Sequence, residues 1–255
     1  MKKAFESIPY TPLEQKENQQ ADIRQKSIPA QVFLNYFTAI NYHIQHNQEP
    51  GLQTLPFFQQ LQPLQLNTDD EVALRRLLLS CWSTEFALRS TAELGNADYL
   101  RYALHWTFPQ AYYTVLAGLQ AFLLTLNFRS RNPEAIARQL GRLVLQRAYP
   151  RAVGYYAAGP YPEVSLHRLP LSGYKAGLQI PEQELDAQAQ IGQFLRTSRR
   201  LKAQAIRREL QSNPQTALRS PKTGKILEKW NKSHWQQISW RLGYTTYFDL
   251  LSRLR

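Results

Sequence analysis

The sequence predicts an all-α protein, a helical bundle that carries a long Gly/Pro/Tyr-rich loop and a basic C-terminal helical segment. Three observations support this class. Apolar residues recur at helical spacing in several segments, polar N-cap residues precede them, and no segment shows the strict alternation of a half-buried strand. The 255 residues, 43% of them hydrophobic, are enough to bury a core.

A polar arm precedes the first predicted helix. Residues 1–27 are rich in Gln, Lys and Glu and poor in large apolar groups, so we expect them to be flexible. Ser27 is a suitable N-cap for a helix with Pro29 in its first turn. Residues 47–66 contain three prolines and a glycine, which predicts a loop with at most a short helix.

The stretch "NTDDEVALRRLLLSCW" predicts the clearest helix. Thr68 and Glu71 have the spacing of a capping box, and Gly95 supplies the stop after Leu94. A stripe of apolar residues keeps the 3.6-residue period along this helix. Its members are Val72, Leu78, Leu79, Trp82 and Phe86.

Three further helices are expected before the loop. One covers 98 to about 105, and Pro109 is expected to begin the next, "PQAYYTVLAGLQAFLLTL". Because this helix is apolar almost all round, it should form the centre of the core. The Asn-Pro pair at Asn132 predicts a third helix that ends near Ala148.

The C-terminal part begins with a loop at 150–180, rich in Gly, Pro and Tyr and containing at most a short hairpin. A long basic helix follows and ends before Asn213, and "RSPKTGK" forms a basic turn. Ser233 and Thr246 are expected to cap two last helices. The predicted organisation is an arm at 1–27, a bundle core at 28–150, a loop at 151–180, and basic helices at 181–255 that pack on the bundle.

Positive charge is concentrated in the last quarter of the chain. Residues 191–255 contain 14 Lys and Arg against 3 Asp and Glu, whereas the preceding residues contain 17 against 16. Such asymmetry indicates a surface for nucleic acid, for a membrane or for an acidic protein. A soluble domain that is merely basic is the alternative.

The helix in "FLRTSRRLKAQAIRREL" carries this charge on one side. With 100° per residue, Phe194, Leu195, Leu201, Ala205 and Ile206 form the predicted core-facing stripe. Arg196, Arg200 and Arg207 fall on the opposite side, and Arg199 and Arg208 flank the stripe. The planar guanidinium fork suits phosphate oxygens. The predicted nucleic-acid-binding residues are Arg196, Arg199, Arg200, Arg207, Arg208, Arg219, Lys222 and Lys225.

Several classes of site are not indicated. A single cysteine, Cys81, excludes a disulfide framework and a cysteine-rich zinc site within the chain. His43 and His46 have helical spacing but no third ligand, so no metal and no cofactor are expected. The N-terminus has no apolar signal region, and no apolar run reaches about 20 residues. The expected location is the cytoplasm, with no membrane partner.

Two segments resemble HEPN-domain proteins over roughly residues 70–255. They are "HWTFPQAYYTVLAGLQAFLLTL", similar to that family's central helix pair, and "FLRTSRRLKAQAIRREL…GYTTYFDLLSRLR", similar to the tail of uncharacterised bacterial members. The resemblance implies a helical bundle, often dimeric, associated with RNA, toxin–antitoxin pairs or antiviral defence. Active members of the family are metal-independent ribonucleases with an arginine and a histidine four to six residues apart on one helix.

The nearest match to that pair here is Arg101 and His105, which have only three residues between them and precede the central helix. The leading hypothesis is therefore a non-catalytic protein that binds nucleic acid, RNA more than DNA, within a bacterial defence or toxin–antitoxin system. One alternative is a subunit of a multi-protein defence complex whose basic face docks an acidic partner, and a homodimer is a further possibility. The other alternative is a HEPN-type ribonuclease that uses Arg101 and His105.

Overall fold

The predicted all-α class is confirmed. The structure, a computed structural model, describes residues 17–46, 51–61, 65–161, 165–166 and 178–253. Its α-helices are α1 (Glu17–His46), α2 (Pro56–Gln59), α3 (Thr68–Leu94), α4 (Ala97–Thr125), α5 (Pro133–Leu145), α6 (Glu184–Ser212), α7 (Lys232–Gln237) and α8 (Ser239–Leu242). Short 3-10 helices cover Leu52–Thr54, Arg151–Val153 and Tyr247–Arg253.

A small antiparallel sheet joins the loop region to the C-terminus. Its strands are β1 (Tyr156–Ala158), β2 (Ser165–Leu166) and β3 (Thr245–Thr246), in the order β2-β1-β3. The β1–β2 pair is the short hairpin allowed for in the loop, and Ala157 pairs with both Leu166 and Thr245. Strands this short give little alternation in the sequence, and β3 is visible only through its pairing.

The core consists of three apolar clusters. The first joins α1 to α6 and includes Tyr155 and Tyr247 from the sheet region. The second lies between the C-terminal part of α4 and α5, and the third joins Ala203 of α6 to α7 and α8. The predicted central helix contributes mainly its C-terminal half to the core, because Tyr112 is buried but Tyr113 and Val115 are exposed.

Helix α1 begins earlier than predicted. It starts at Glu17 and runs through both Ser27 and Pro29, so neither residue marks its first turn. The prediction of a flexible arm is therefore wrong for residues 17–27, while residues 1–16 lie outside the described part of the chain. Helix propensity explains the extension, because Glu, Gln, Ala, Lys and Arg predominate in this segment and all are good helix formers.

Two predicted caps are displaced by one or two residues. The α3 N-cap is Asn67, whose side chain accepts a hydrogen bond from the Asp70 N–H at 2.9 Å. Asn231 caps α7 in the same way, accepting from the His234 N–H at 3.1 Å. In both places an Asn precedes the Ser or Thr that we predicted, and Asn is as good a cap.

Helix α4 is continuous through Pro109, where we expected a new helix to begin. A proline inside a helix removes one N–H donor, and packing against neighbouring helices offsets that loss. The last predicted helix is also different, because Thr246 lies in β3 and the following residues form a 3-10 helix. The Thr246 N–H donates to the Asp249 carboxylate at 2.8 Å.

Candidate nucleic-acid interface

Helix α6 changes its buried face halfway along its length. The N-terminal half packs against α1, and the C-terminal half packs against α7 and α8 through Ala203. As a result Leu201 is 45% exposed and Ala205 is exposed, so both were wrongly assigned to the core stripe. The predicted row of Arg196, Arg200 and Arg207 is correspondingly interrupted, because Arg200 is exposed and the other two are half-buried.

Arg199 lies inside the protein and is only 1% exposed. Its Nε donates to the Gly159 carbonyl at 2.9 Å, and Nη1 donates to the Gly243 carbonyl at 3.0 Å. Further acceptors are the Ala157 carbonyl and the Thr245 Oγ1, both at 3.3 Å. Burial lowers the pKa of Arg199 to about 10, and the nearby Asp249 carboxylate opposes this shift. The prediction that Arg199 contacts nucleic acid is therefore wrong, because its donors are used within the fold.

Arg207 is half-buried beneath the segment that leads into α7. Its Nη2 donates to the Glu228 carbonyl, and its guanidinium carbon lies 5.6 Å from the centre of the Trp230 ring. Stacking of this kind holds a cation against an aromatic face while its charge is kept. Trp230 was not among the predicted site residues, and the only sequence signal for it is its position in the basic stretch "EKWNK".

The other predicted arginines of α6 differ in exposure. Arg200 and Arg208 are exposed, and Arg196 is half-buried. The Nε of Arg208 donates to the Gln204 carbonyl one turn earlier at 3.4 Å, which directs the side chain along the helix. Arg200 and Arg208 are two turns apart on the surface of α6, about 12 Å along the helix axis.

The basic turn lies beyond the C-terminal end of α6. Arg219, Lys222 and Lys225 are all exposed. The turn is held by the Ser220 N–H, which donates to the Lys225 carbonyl at 2.8 Å, and by Gly224, whose φ of 67° favours glycine. The following chain returns along α6, where Gln211 Nε2 donates to the Leu227 carbonyl at 2.7 Å. The turn is therefore fixed next to the C-terminal turns of α6.

Residues 191–255 contain three acidic residues, and two of them already form ion pairs. Lys202 Nζ lies 2.6 Å from the Asp249 carboxylate, and Arg241 Nη2 lies 2.8 Å from that of Glu209. These pairs use cations other than the predicted site residues. We use the name basic face for the exposed cations of α6 and of the following turn, which are Arg200, Arg208, Arg219, Lys222 and Lys225.

The chain matches no protein-family model, and no curated protein or solved structure is significantly similar to it. The likeness to HEPN proteins therefore stays a prediction. The described helices include none that is long and apolar enough to cross a membrane.

The second candidate pair lies elsewhere, on α4. Arg101 and His105 are both exposed, one turn apart on the same helix, and the His105 ring lies 5.5 Å from that of Trp106. This position is not on the basic face, so the structure does not bring the two predicted sites together. Within the described residues no group of three His, Cys, Asp or Glu side chains could hold a metal ion.

His43 is buried, 5% exposed, and its ring lies 5.5 Å from that of Tyr155. Burial lowers its pKa, the Glu184 carboxylate opposes the shift, and Arg151 adds to it. A neutral imidazole beside Tyr155 of the first apolar cluster fits a packing role. His46 instead stacks on Tyr42 at the surface, with 4.0 Å between the ring centres.

Proposed function

We propose that this protein binds nucleic acid, RNA more than DNA, through the basic face. The observation that carries the proposal is a group of exposed cations on α6 and the adjoining turn, while Glu209 and Asp249 are paired with other residues. The phosphates of a nucleic acid supply negative charge opposite these cations, and release of the counterions of the nucleic acid drives binding. Arginine side chains add bidentate hydrogen bonds to phosphate oxygens.

The preference for RNA and the absence of catalysis are part of the same proposal, supported by the HEPN resemblance. The proposed protein is a cytoplasmic component of a bacterial defence or toxin–antitoxin system, and it holds RNA without cleaving it. The spacing of Arg101 and His105 departs from that of the family's pair, which fits binding without cleavage. Incubation of the protein with RNA should leave the RNA intact, and His105→Ala should then change nothing.

The test is a fluorescence-anisotropy titration of labelled RNA and DNA oligonucleotides at several salt concentrations. We expect affinity to fall steeply with salt and to be higher for RNA. Replacing Arg200, Arg208, Lys222 and Lys225 by glutamine should weaken binding and lower the logarithmic salt slope by about 3, since each phosphate that is no longer neutralised lowers it by about 0.7 to 0.9.

Arg241→Gln is the matched control. Arg241 belongs to the same basic segment but is paired with Glu209, so its replacement should leave the salt slope nearly unchanged. Binding that is absent, or that does not respond to salt, contradicts the proposal. A control effect of about one quarter of the fourfold effect also contradicts it, because each lost charge would then count equally wherever it lies.

A further inference from the structure

Helix α3 has two apolar faces, and the described part of the chain covers one of them. The inner face packs along α4, where Cys81 approaches Gly118 so closely that a Cβ on the glycine would lie 3.3 Å from the sulfur. The outer face carries Leu79, Trp82 and Phe86, which are 68%, 60% and 72% exposed. These three lie within about 60° of one another around the helix. Their period marked them as part of a helix, and the structure shows that the face they form is exposed.

The outer face follows a heptad pattern. Val72, Arg75, Leu79, Trp82, Phe86, Arg89 and Glu93 are separated alternately by three and four residues. This spacing is the one with which a helix presents a continuous seam to a second helix. Large aromatic side chains at the centre and charges towards the ends are typical of interface anatomy, with an apolar middle and a polar rim. We call this seam the α3 stripe.

We propose that the α3 stripe is a dimer interface, in which α3 of one protomer packs antiparallel to α3 of a second copy. In the register we infer, Trp82 of each protomer faces Phe86 of the other, and Leu79 faces the aliphatic stem of Arg89. Arg75 then faces Glu93 at both ends of the pair. The interface is isologous, so every contact occurs twice.

The charges of Arg75 and Glu93 favour the antiparallel pair of helices over the parallel pair. In a parallel pair each α3 stripe residue meets its own copy, which sets Arg75 against Arg75 and Glu93 against Glu93. The antiparallel register converts both repulsions into opposite-charge contacts. Both side chains lie at the surface: that of Arg75 is 78% exposed and pairs with Glu71 of the same helix at 2.6 Å, and Glu93 is exposed. A self-complementary stripe of this kind fits a second copy better than it fits a uniformly charged partner.

A second exposed aromatic group on the same helical hairpin provides the control. Tyr99, Tyr102, Trp106 and Tyr113 lie along α4, and Trp106 is 65% exposed. Tyr113 lines a shallow groove with Ser80 and Ser83 of α3, on the flank away from Trp82. The proposed pairing leaves Trp106 uncovered.

The first test is sedimentation equilibrium of the full chain over a range of concentrations. We expect a reversible dimer of the 29.6 kDa protomer. The variant with Trp82→Ala and Phe86→Ala should self-associate at least about 100-fold more weakly, because aromatic anchors dominate interface energies. Trp106→Ala should dimerise like the unaltered protein. Circular dichroism checks that all variants are folded.

A charge exchange tests the register. Arg75→Glu and Glu93→Arg should each weaken dimerisation, and an equimolar mixture of the two variants should form heterodimers, because each then supplies the charge that the other lacks. The double variant should dimerise again on its own. A protein that stays monomeric at about 100 µM overturns the proposal, since such an affinity is too weak for a specific dimer of this kind. Failure of the mixture and of the double variant to recover association overturns it as well.

Discussion

At the scale of single residues, the fate of each arginine depends on which acceptors the fold brings to it. Arg199 and Arg200 are neighbours on α6, yet the first is 1% exposed and the second lies at the surface. Arg199 faces the carbonyls of Gly159, Ala157 and Gly243, which belong to segments distant in sequence. It holds together α6, the β1 edge and the turn before β3. Its charge therefore contributes to the fold rather than to the basic face.

Replacement of Arg199 tests this structural role. Arg199→Met keeps the length of the side chain but removes every donor, leaving buried carbonyl groups without partners. We expect the free energy of unfolding to fall by about 2 to 4 kcal/mol in urea denaturation. Nucleic-acid affinity of the folded variant should be unchanged. Arg200→Met is the matched control and should change stability by no more than about 0.5 kcal/mol, and a reversed order of the two effects contradicts the assignment.

At the scale of elements, the first residue of a helix depends on the capping residue next to it, whereas the exposure of its side chains depends on which other elements pack against the helix. Two residues at the start of α3 are both good N-cap types, and the structure uses Asn67 rather than Thr68. The same helix shows the second point, because its periodic apolar residues occupy two faces and α4 covers only one. Periodicity predicts that an apolar face will be buried, but it does not say whether the chain itself buries it.

The cap assignment gives an element-scale prediction. Asn67→Ala removes the acceptor of the Asp70 N–H and should lower the free energy of unfolding by about 1 kcal/mol. Thr68→Ala should be nearly neutral, since Thr68 is the first residue inside the helix and alanine is a good helix former. Thermal and urea unfolding of both variants measures the difference. A larger decrease in stability for Thr68→Ala supports the cap suggested by the sequence pattern instead.

At the scale of the whole molecule, the first apolar cluster connects segments from both ends of the chain. Tyr247, 3% exposed, contacts the Phe194 ring of α6 with 5.2 Å between ring centres. Its hydroxyl donates to the Tyr36 carbonyl of α1. Because α6 runs from this cluster to the third one around Trp235, the two clusters share an element. The C-terminal residues are thus part of the core and not an appended tail.

Tyr247 is therefore expected to affect the stability of the whole fold. Tyr247→Ala should cost about 3 to 5 kcal/mol through the cavity that the missing ring leaves in the core, and Tyr247→Phe should cost only about 1 kcal/mol, because it removes one hydrogen bond. Tryptophan fluorescence and far-UV circular dichroism should report the same transition for each variant, because α6 couples the clusters. Separate transitions for the two probes would show that the clusters unfold independently.

By itself the sequence determined the helical class, the main helices, the turn after α6 and the uneven distribution of charge. These follow from local propensity, capping residues, apolar periodicity and composition, all of which act over a few residues. Only the tertiary structure decided that Arg199 lies inside, that Arg207 is covered by the chain around Trp230, and that Leu79, Trp82 and Phe86 face outward. The physical reason is that burial of a side chain depends on atoms supplied by segments far away in sequence, and these positions carry no local signal of that neighbour.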